Sequence, residues 1–364
     1  MIIHSRHKRQ LRQILVFGII WLLFGLIYLL LEFGLIGELE RYPATGNLYN
    51  FKQSLVFVSV GSFFMGLFQG SIEVLWMSTY FSKVALWKKF VYKSIFYFSL
   101  IILFMSFLTI VVNAILLDIN IFSPILFEIL LEFMSDFSYW SSVFYTAIIF
   151  DIALFYSEIE AYLGKGFLMN YLGKYHRPLQ EKRIFMFLDM KSSTTIAEKI
   201  GHQRYFELLK SYYSDMTNAI LETSGEVYQY VGDEIVVTWK VKKGIHKNNC
   251  IQCFIKISNA INKNKDYYIE QFGLLPEFKA GYHIGEVTAG EIGIIKKDII
   301  YTGDILNTTA RIQAACNSYN SKTLISEKLF NQLTEEAGFS FIKIDKLLLE
   351  GKKEHVQLYR VNYN

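Results

Sequence analysis

Long apolar runs fill the first half of the chain, whereas short segments of alternating character fill the second half. Three of these runs contain no Asp, Glu, Lys or Arg, namely residues 13–31, 53–72 and 94–117. A helix needs about 20 apolar residues to cross the hydrocarbon core of a bilayer. The pattern therefore predicts an all-α domain of four transmembrane helices, at about residues 14–36, 54–76, 94–117 and 139–156.

The fourth span is the weakest, because its uncharged stretch covers only residues 137–150 and Asp151 interrupts it. A carboxylate inside a bilayer is costly unless it has a partner or a watery face. The alternative is a surface helix, which would put the two chain ends on opposite sides of the membrane. No span carries a row of ionisable residues, which argues against a pump. The pattern favours positions near the membrane interface for Glu73 and Asp151.

Basic residues cluster in alternate segments around the spans. These clusters are Arg6, Lys8, Arg9 and Arg12 at the N-terminus, Lys83, Lys88, Lys89 and Lys93 between spans two and three, and Lys165, Lys174, Arg177, Lys182 and Arg183 after span four. The two other loops are acidic or mixed, so the alternation holds throughout only with four spans. The positive-inside rule predicts a multi-pass protein of the cell (inner) membrane with both termini in the cytoplasm.

Composition narrows the possible classes further. Apolar residues make up 52% of the chain and charged residues only 19%, against about 25% charge in a typical soluble domain. The formal charge of +4 gives no sign of a nucleic-acid-binding surface. Three cysteines exclude a disulfide framework. Cys250 and Cys253 have CxxC spacing, but they lack further zinc ligands and are expected inside a helix core.

A change of hydrophobic period after the last span predicts a second domain. We predict a transmembrane domain at 1–157, a helical join at 158–182 and a cytoplasmic domain at 183–364. Its predicted strands are Ile184–Leu188, Glu226–Val231, Glu234–Trp239, Phe278–Ile284, Glu286–Ile292, Leu347–Glu350 and Val356–Val361, and its predicted helices are 203–222, 249–262 and Asp304–Cys316. The expected fold is an α+β sandwich with a mixed or antiparallel sheet.

Two aspartates lie where this pattern brings strand ends together. Asp189 closes the first strand, and Asp233 lies at the tip of the following hairpin. Carboxylates that share coordination with substrate phosphates suit Mg²⁺. Ser192, Ser193 and Thr194 begin a helix directly after Asp189, and their backbone N–H groups suit a phosphate. The alternative is that both aspartates are ordinary capping and turn residues.

A second group of polar residues lies on the predicted helix after residue 303. Asn307 and Arg311 are four residues apart, so a helix presents them on one face. An amide beside a guanidinium suits a ribose and a phosphoryl group that gains negative charge. The alternative is a solvated helix face.

Several stretches, taken together and in order, resemble the catalytic domain of class III nucleotidyl cyclases, the adenylate and guanylate cyclase family. They are Phe187-Leu-Asp-Met190, Val231-Gly-Asp-Glu234, Gly281-Tyr-His-Ile-Gly-Glu286, Gly303-Asp-Ile-Leu-Asn-Thr-Thr-Ala-Arg311 and Gly351-Lys352. The resemblance covers about half of the chain and implies an α+β sandwich of the ferredoxin-like type. Each stretch alone is a weak signal, whereas the ordered set is specific.

The resemblance also implies roles for individual residues. Asp189, the backbone carbonyl of Met190 and Asp233 match the positions that hold two Mg²⁺ or Mn²⁺ ions. Asn307 matches the residue that orients the ribose, and Arg311 matches the one that stabilises charge on the α-phosphoryl group. Lys352 falls near the lysine that binds the terminal phosphates. Because the family divides each site between two domains, the resemblance implies a homodimer with two equivalent sites.

The positions that contact the base depart from the family pattern. Many adenylate cyclases have a lysine where this chain has Gln229, and Asp or Thr where it has Ile300. The Gln229 amide suits either adenine or guanine, and either Thr302 or a backbone carbonyl is the substitute for Ile300. The resemblance favours ATP as substrate, with GTP as the alternative. A further alternative is a receptor-like membrane protein that binds nucleotide without turnover. Cyclase-like domains of that kind usually lack a metal-binding aspartate or the Asn/Arg pair, whereas this chain has Asp189, Asp233, Asn307 and Arg311.

Overall fold

The chain folds into two compact units, one of residues 7–167 and one that includes residues 168–364. A computed structural model of the protein describes residues 5–37, 39–42, 48–81, 84–163, 173, 175–295, 297–334, 338–348 and 355–363. The division between the units falls within the predicted join, residues 158–182, part of which lies outside the described residues.

The described part of the first unit consists mainly of helices, with one isolated β-bridge between Arg41 and Leu48. Its helices are α1 (Ser5–Ile36), α2 (Phe51–Ile72), α3 (Leu86–Leu117), α4 (Pro124–Ser135) and α5 (Phe137–Leu163). A π-helical turn, Glu73–Met77, continues α2 and leads into Ser78–Tyr80. Among the described residues, 4 helices are long and apolar enough to cross a membrane, namely α1, α2, α3 and α5. This confirms the prediction of four apolar helices, and α4 is an addition that the sequence pattern did not indicate.

Close packing and one buried amide join the helices of this unit. The amide of Gln69 accepts a hydrogen bond from Trp21 on α1 at 2.7 Å and donates one to the backbone carbonyl of Phe150 on α5 at 3.1 Å. Gly66 allows α1 and α2 to touch, because a Cβ atom there would lie 2.5 Å from the carbonyl oxygen of Phe17. Small residues and buried polar contacts of this kind are typical of helix pairs in membranes.

A buried ionic cluster joins α2, α3 and α5. The Lys93 ammonium bonds to the carboxylates of Glu73 and Glu158, the latter at 2.6 Å. Lys93 and Glu73 are each 1% exposed, and Tyr97 donates a longer bond to Glu73 at 3.4 Å. Glu73 is therefore enclosed by protein, and its position near the membrane interface stays a prediction. The π-helical turn that begins at Glu73 is the kind of irregularity that re-aims a side chain within a helix.

Replacing Lys93 with methionine is expected to destabilise the helical unit. The substitution keeps the aliphatic stem but leaves Glu73 and Glu158 buried without their cation. Breaking a buried ion pair on one side costs about 3–5 kcal/mol. Thermal unfolding of the full-length protein in detergent measures this loss, with exposed Lys88→Met as the control. A Lys93→Met variant as stable as the control would contradict the assignment of a buried ionic cluster. Adding Glu73→Gln to Lys93→Met should recover part of the lost stability, because it removes one of the two unpaired carboxylates.

The second unit combines one sheet with helices on both of its faces. Its elements in chain order are β1 (Leu179–Met190), α6 (Ser193–Ile200), α7 (His202–Glu222), β2 (Glu226–Val231), β3 (Glu234–Lys240), α8 (Val241–Ile245), α9 (Asn249–Lys263), α10 (Lys265–Phe272), β4 (Phe278–Ile292), β5 (Asp298–Thr302), α11 (Asp304–Ser318), β6 (Thr323–Ser326), α12 (Glu327–Phe330), β7 (Phe339–Leu348) and β8 (His355–Tyr363).

The strands form an 8-stranded mixed sheet in the order β2-β3-β1-β4-β6-β8-β7, with β5 paired to β4. All neighbouring pairs are antiparallel except β4 and β6, which are parallel. The prediction of an α+β sandwich with a mixed or antiparallel sheet is confirmed. The central strand β1 lies between β3 and β4, which places Asp189 opposite Glu234 on one side and Lys279 on the other.

Strand β1 is buried on both faces, as its continuous apolar run predicts. Ile184, Met186 and Leu188 belong to the larger core, which includes buried residues of α7, α9 and α10. Phe185 and Phe187 face the other side, in a smaller core with Ile305 of α11. The thiols of Cys250 and Cys253 lie in the larger core, where burial raises the pKa of each to about 12. They are core residues, as predicted.

The prediction of two strands at Phe278–Ile284 and Glu286–Ile292 is wrong, because β4 is continuous from Phe278 to Ile292. Gly285, which suggests a turn in the sequence, pairs with Arg183 of β1 instead. A Cβ atom at Gly285 would lie 3.3 Å from the side chain of Ile305, so the glycine makes room for α11. The sequence also gave no indication of the short strands β5 and β6.

Candidate active site

The two predicted acidic residues come together at one end of the sheet. Asp189 is the penultimate residue of β1, and Asp233 lies in the turn between β2 and β3. Pairing of β1 with β3 places Asp189 opposite Glu234, the residue after Asp233. The carboxyl groups of Asp189 and Asp233 are close enough to interact by hydrogen bonding as well as by charge.

This proximity perturbs the protonation of the site. Burial raises the pKa of Asp189, and the neighbouring Asp233 raises it further, through a hydrogen bond and charge repulsion. Lys279 and Gln313 act in the opposite direction, with Lys279 Nζ 3.5 Å and Gln313 Nε2 3.1 Å from Asp189 Oδ2. Burial, then the charges of Asp189 and Asp233, raise the pKa of Glu234 to about 7. The site therefore holds more negative charge than its own donors neutralise.

The donor set fits a divalent cation. Oδ2 of Asp233 is buried and has no hydrogen-bond partner among the described residues. Met190, the last residue of β1, places a backbone carbonyl beside Asp189. In the described part of the chain, no group of three or more His, Cys, Asp or Glu residues forms a metal site by itself. Two carboxylates that leave room for water and phosphate oxygens are the usual ligands of Mg²⁺.

The three hydroxyl residues that follow lie at the start of α6. Ser192 precedes the helix in a left-handed conformation with φ 57°, and Ser193 is its first residue. The side chain of Ser193 bonds to Tyr205, whose pKa is raised by burial and by the charge of Asp233. Ser192 and Thr194 are exposed. The structure thus brings these residues next to the aspartate pair, and their contact with phosphate stays a prediction.

Asn307 and Arg311 lie on one face of α11, away from the aspartates of their own chain. The buried side of α11 includes Ile305, Thr308 and Ile312. Asn307 is exposed and Arg311 is half-buried. In the described residues neither side chain makes a hydrogen bond or an ion pair, so neither reaches Asp189 or Asp233. The amide and the guanidinium are therefore available to bind a group from outside the chain.

The positions predicted to contact a base adjoin a pair of tyrosines. The backbone N–H of Tyr301 donates to the hydroxyl of Tyr228 at 3.2 Å, and the two rings are 5.0 Å apart. Gln229 follows Tyr228 on β2 and is exposed, and Ile300 precedes Tyr301 on β5 and is half-buried. Thr302 is exposed and donates a long bond, 3.4 Å, to the backbone carbonyl of Thr288. The predicted phosphate contact Lys352 lies outside the described residues.

Residues 178–362 match the family model described as "Adenylate and Guanylate cyclase catalytic domain". The chain belongs to this family. The match confirms the resemblance on which the motifs were assigned, and it begins within one residue of β1 of the cyclase domain.

Two bacterial relatives match the cyclase domain. Adenylate cyclase 2 from Rhizobium meliloti (strain 1021) is 34% identical over 181 residues, which are 50% of this chain and 50% of that protein. Adenylate cyclase from Anabaena cylindrica is 28% identical over 182 residues, 48% of this chain and 36% of that protein. The chain thus spans half or less of the length of these relatives. The crystal structure of the adenylyl cyclase CyaB from P. aeruginosa covers 52% of this chain and 97% of that chain, at 20% identity and a TM-score of 0.46.

The structure adds three polar residues to the cyclase site that the sequence analysis did not assign. Glu234 was quoted within a motif, but its raised pKa depends on the pairing of β3 with β1. Lys279 reaches Asp189 because β4 lies beside β1. Gln313 reaches Asp189 from α11, so one helix supports the aspartates of its own chain and carries Asn307 and Arg311 on another face. Of these three residues, only Gln313 lies on an element that the sequence predicted together with other site residues, the helix Asp304–Cys316.

Gly281 sets the distance between β4 and α11. A Cβ atom on Gly281 would lie 2.2 Å from the backbone nitrogen of Gln313, which a side-chain rotation cannot relieve. We expect Gly281→Ala to lower the stability of the cyclase domain by about 1–3 kcal/mol through overpacking. Thermal unfolding checks this, with Gly290→Ala on the same strand as the matched control, because its Cβ would have only ordinary contacts at 3.7 Å. Equal melting temperatures for the two variants would contradict the proposed close packing.

Proposed function

We propose that this protein is a membrane-bound adenylate cyclase that converts ATP to 3′,5′-cyclic AMP and pyrophosphate at a homodimer interface. The observation that carries the proposal is the split arrangement of the site. Asp189 and Asp233 form an acidic pocket with an unpartnered carboxylate oxygen, whereas Asn307 and Arg311 face away from it without partners among the described residues. Membership of the cyclase family and two relatives named adenylate cyclases support the proposal.

The proposed reaction is an in-line displacement at the α-phosphorus. The ribose 3′-oxygen forms a bond to this phosphorus, the bond to the oxygen that bridges the α- and β-phosphates breaks, and pyrophosphate leaves. Two Mg²⁺ or Mn²⁺ ions held by Asp189, Asp233 and the Met190 carbonyl would favour deprotonation of the 3′-hydroxyl and neutralise the triphosphate. Asn307 orients the ribose, and Arg311 stabilises the negative charge that develops on the α-phosphoryl oxygens.

Two copies complete the proposed site. In a symmetric dimer, the acidic pocket of each chain faces α11 of its partner, so each of two equivalent sites receives both halves. Exposed apolar residues next to Asp233 support an interface there, since Tyr230 is 54% and Val231 52% exposed. The backbone of Ser192–Thr194 and the side chain of Lys352 are proposed to bind the phosphates of the substrate.

ATP is the proposed nucleotide substrate, with GTP as the alternative. Gln229 is exposed and has an amide that suits either base, whereas Ile300 offers no hydrogen bond and Thr302 is its nearest polar substitute. The deciding experiment is a product assay on the purified full-length protein with Mg²⁺ or Mn²⁺, with ATP or GTP. We expect cyclic AMP to predominate and Gln229→Lys to increase the preference for ATP. Cyclic GMP as the main product would reassign the substrate, and no cyclic product from either nucleotide would defeat the cyclase proposal.

The helical unit is proposed to anchor the protein in the cell (inner) membrane through α1, α2, α3 and α5. Their length and hydropathy support this, and the distribution of basic residues supports cytoplasmic positions for both termini. Protease protection in inverted membrane vesicles tests the topology. The cyclase domain should be cleaved in these vesicles and protected in intact cells.

A further inference from the structure

The helical unit contains a cavity between α3 and α5. Its volume is about 270 Å³, and it is lined by residues of both helices. Tyr97, Ile101 and Phe150 form its buried floor, since each is 1% exposed. Ile95 and Ser99, which also line it, are exposed. The cavity is therefore mostly aromatic and aliphatic and opens on the surface of the helical unit.

One carboxylate lies in the wall of this cavity. Asp151 on α5 accepts a hydrogen bond from the hydroxyl of Ser94 on α3 at 2.7 Å, and both residues line the cavity. Among the described residues, Ser94 is the one hydrogen-bond partner of Asp151, and no cation pairs with it. Asp151 is 12 residues from the end of α5 at Leu163, about 18 Å at 1.5 Å per residue. The carboxylate therefore lies within the candidate membrane span Phe137–Glu160, about two helical turns before Glu158.

The half-buried Asp151 differs from the two buried acids of the neighbouring ionic cluster, Glu73 and Glu158, in the partners that surround it. Glu158 lies two helical turns further along α5, and Lys93 lies beside Ser94 on α3. The ammonium of Lys93 bonds to Glu158 and to Glu73. The same pair of helices therefore supplies a cation to Glu158 and only a hydroxyl to Asp151. An ionisable group within a membrane span is costly and is normally retained for a function.

We propose that this cavity binds a cationic amphiphile, with the ammonium group of the ligand beside Asp151 and its hydrocarbon chain along α3. The carboxylate supplies charge complementarity, and the hydroxyl of Ser94 orients it. Phe98 and Phe150 also line the cavity and supply aromatic rings, which attract ammonium groups, and the exposed Ile95 suits an apolar chain. This inference rests on the proposed membrane position of the helices and is independent of the proposed nucleotide chemistry.

The test is photolabelling of the full-length protein in neutral detergent with dodecylamine that carries a diazirine on its chain. Mass spectrometry should locate the label on α3 and α5 residues that line the cavity. Unlabelled dodecylamine should compete for the site, and dodecanol, which has the same chain without the charge, should compete at least about tenfold less well. Asp151→Asn should reduce labelling by about the same factor, because it removes the charge and keeps the shape.

Two further variants keep the result interpretable. Glu128→Gln removes an exposed carboxylate from α4, outside the cavity, and should leave labelling unchanged. If Asp151→Asn does not fold, Ala147→Phe fills the cavity from α5 and should abolish labelling in the same way. Equal labelling of the cavity variant and the wild type would overturn the proposal, as would equal competition by dodecanol. A disulfide between two Ile95→Cys chains would show that a second copy occupies the cavity. If dodecylamine did not prevent that disulfide, the proposal would also be overturned.

Discussion

Replacing Asp233 with asparagine is expected to reduce cyclase activity by at least about a hundredfold and to stabilise the metal-free protein. Activity falls because an amide is a poor ligand for a divalent cation, and charge stabilisation by such a cation is worth several kcal/mol. Stability rises because asparagine carries no charge, so the substitution removes the repulsion between Asp233 and Asp189 that contributes to the raised pKa of Asp189. A gain of about 1 kcal/mol corresponds to about 2–4 °C in Tm for a domain of this size.

Activity and Tm, measured together, distinguish a carboxylate that binds a cation from one that only supports the fold. Activity is measured as cyclic nucleotide formed with Mg²⁺ or Mn²⁺, and Tm is measured in the presence of a chelator. Asp266→Asn is the control, since Asp266 is exposed on α10 and outside the acidic pocket. A variant that is less stable and less active in proportion would indicate that Asp233 supports the β2–β3 turn rather than a cation.

Replacing Arg311 with alanine is expected to reduce activity by about 10²–10³-fold with little change in stability. A guanidinium that stabilises charge mainly in the transition state affects kcat more than substrate binding. Arg311 is half-buried and has no hydrogen bond or ion pair among the described residues, so its loss removes neither kind of bond from the folded chain. The measurement is kcat and KM for cyclic nucleotide formation, beside Tm.

Arg311→Lys gives the informative comparison. Lysine keeps the charge and loses the planar pair of donors, so partial activity is expected. The control is Arg360→Lys, because the guanidinium of Arg360 donates to the backbone carbonyl of Tyr319 at the C-terminal end of α11, two helical turns beyond Arg311. A large loss of Tm in Arg311→Ala, or an increase in KM with unchanged kcat, would assign Arg311 to folding or to simple substrate binding.

The elements that carry the candidate site were predictable because each has a strong local signal. The apolar run before Asp189 predicts a buried strand, the glycine before Asp233 predicts a tight turn, and the spacing of Asn307 and Arg311 predicts a shared helix face. Each of these signals depends on neighbouring residues in the chain. The structure agrees with them at β1, at the β2–β3 turn and at α11.

The remaining contacts depend on the pairing of distant segments. Lys279 and Gln313 reach Asp189 only because β4 and α11 pack beside β1. Gly285 suggested a turn because a glycine inside an apolar segment is ambiguous until its neighbouring strand is known. The ionic bonds of Lys93 connect three helices, and hydropathy gives no information about which residues of separate helices meet. These contacts and the continuity of β4 are determined by tertiary packing, which the local sequence pattern does not reveal.

The central claim is that each active site takes its acidic pocket from one chain and its amide and guanidinium from another. The most direct test mixes two variants, Asp233→Asn and Arg311→Ala, that are each inactive alone and carry different affinity tags. Heterodimers isolated through both tags should recover about half of the wild-type activity, because one of the two sites is then intact. Isolated heterodimers as inactive as their parents, or a strictly monomeric wild type with full activity, would contradict the account.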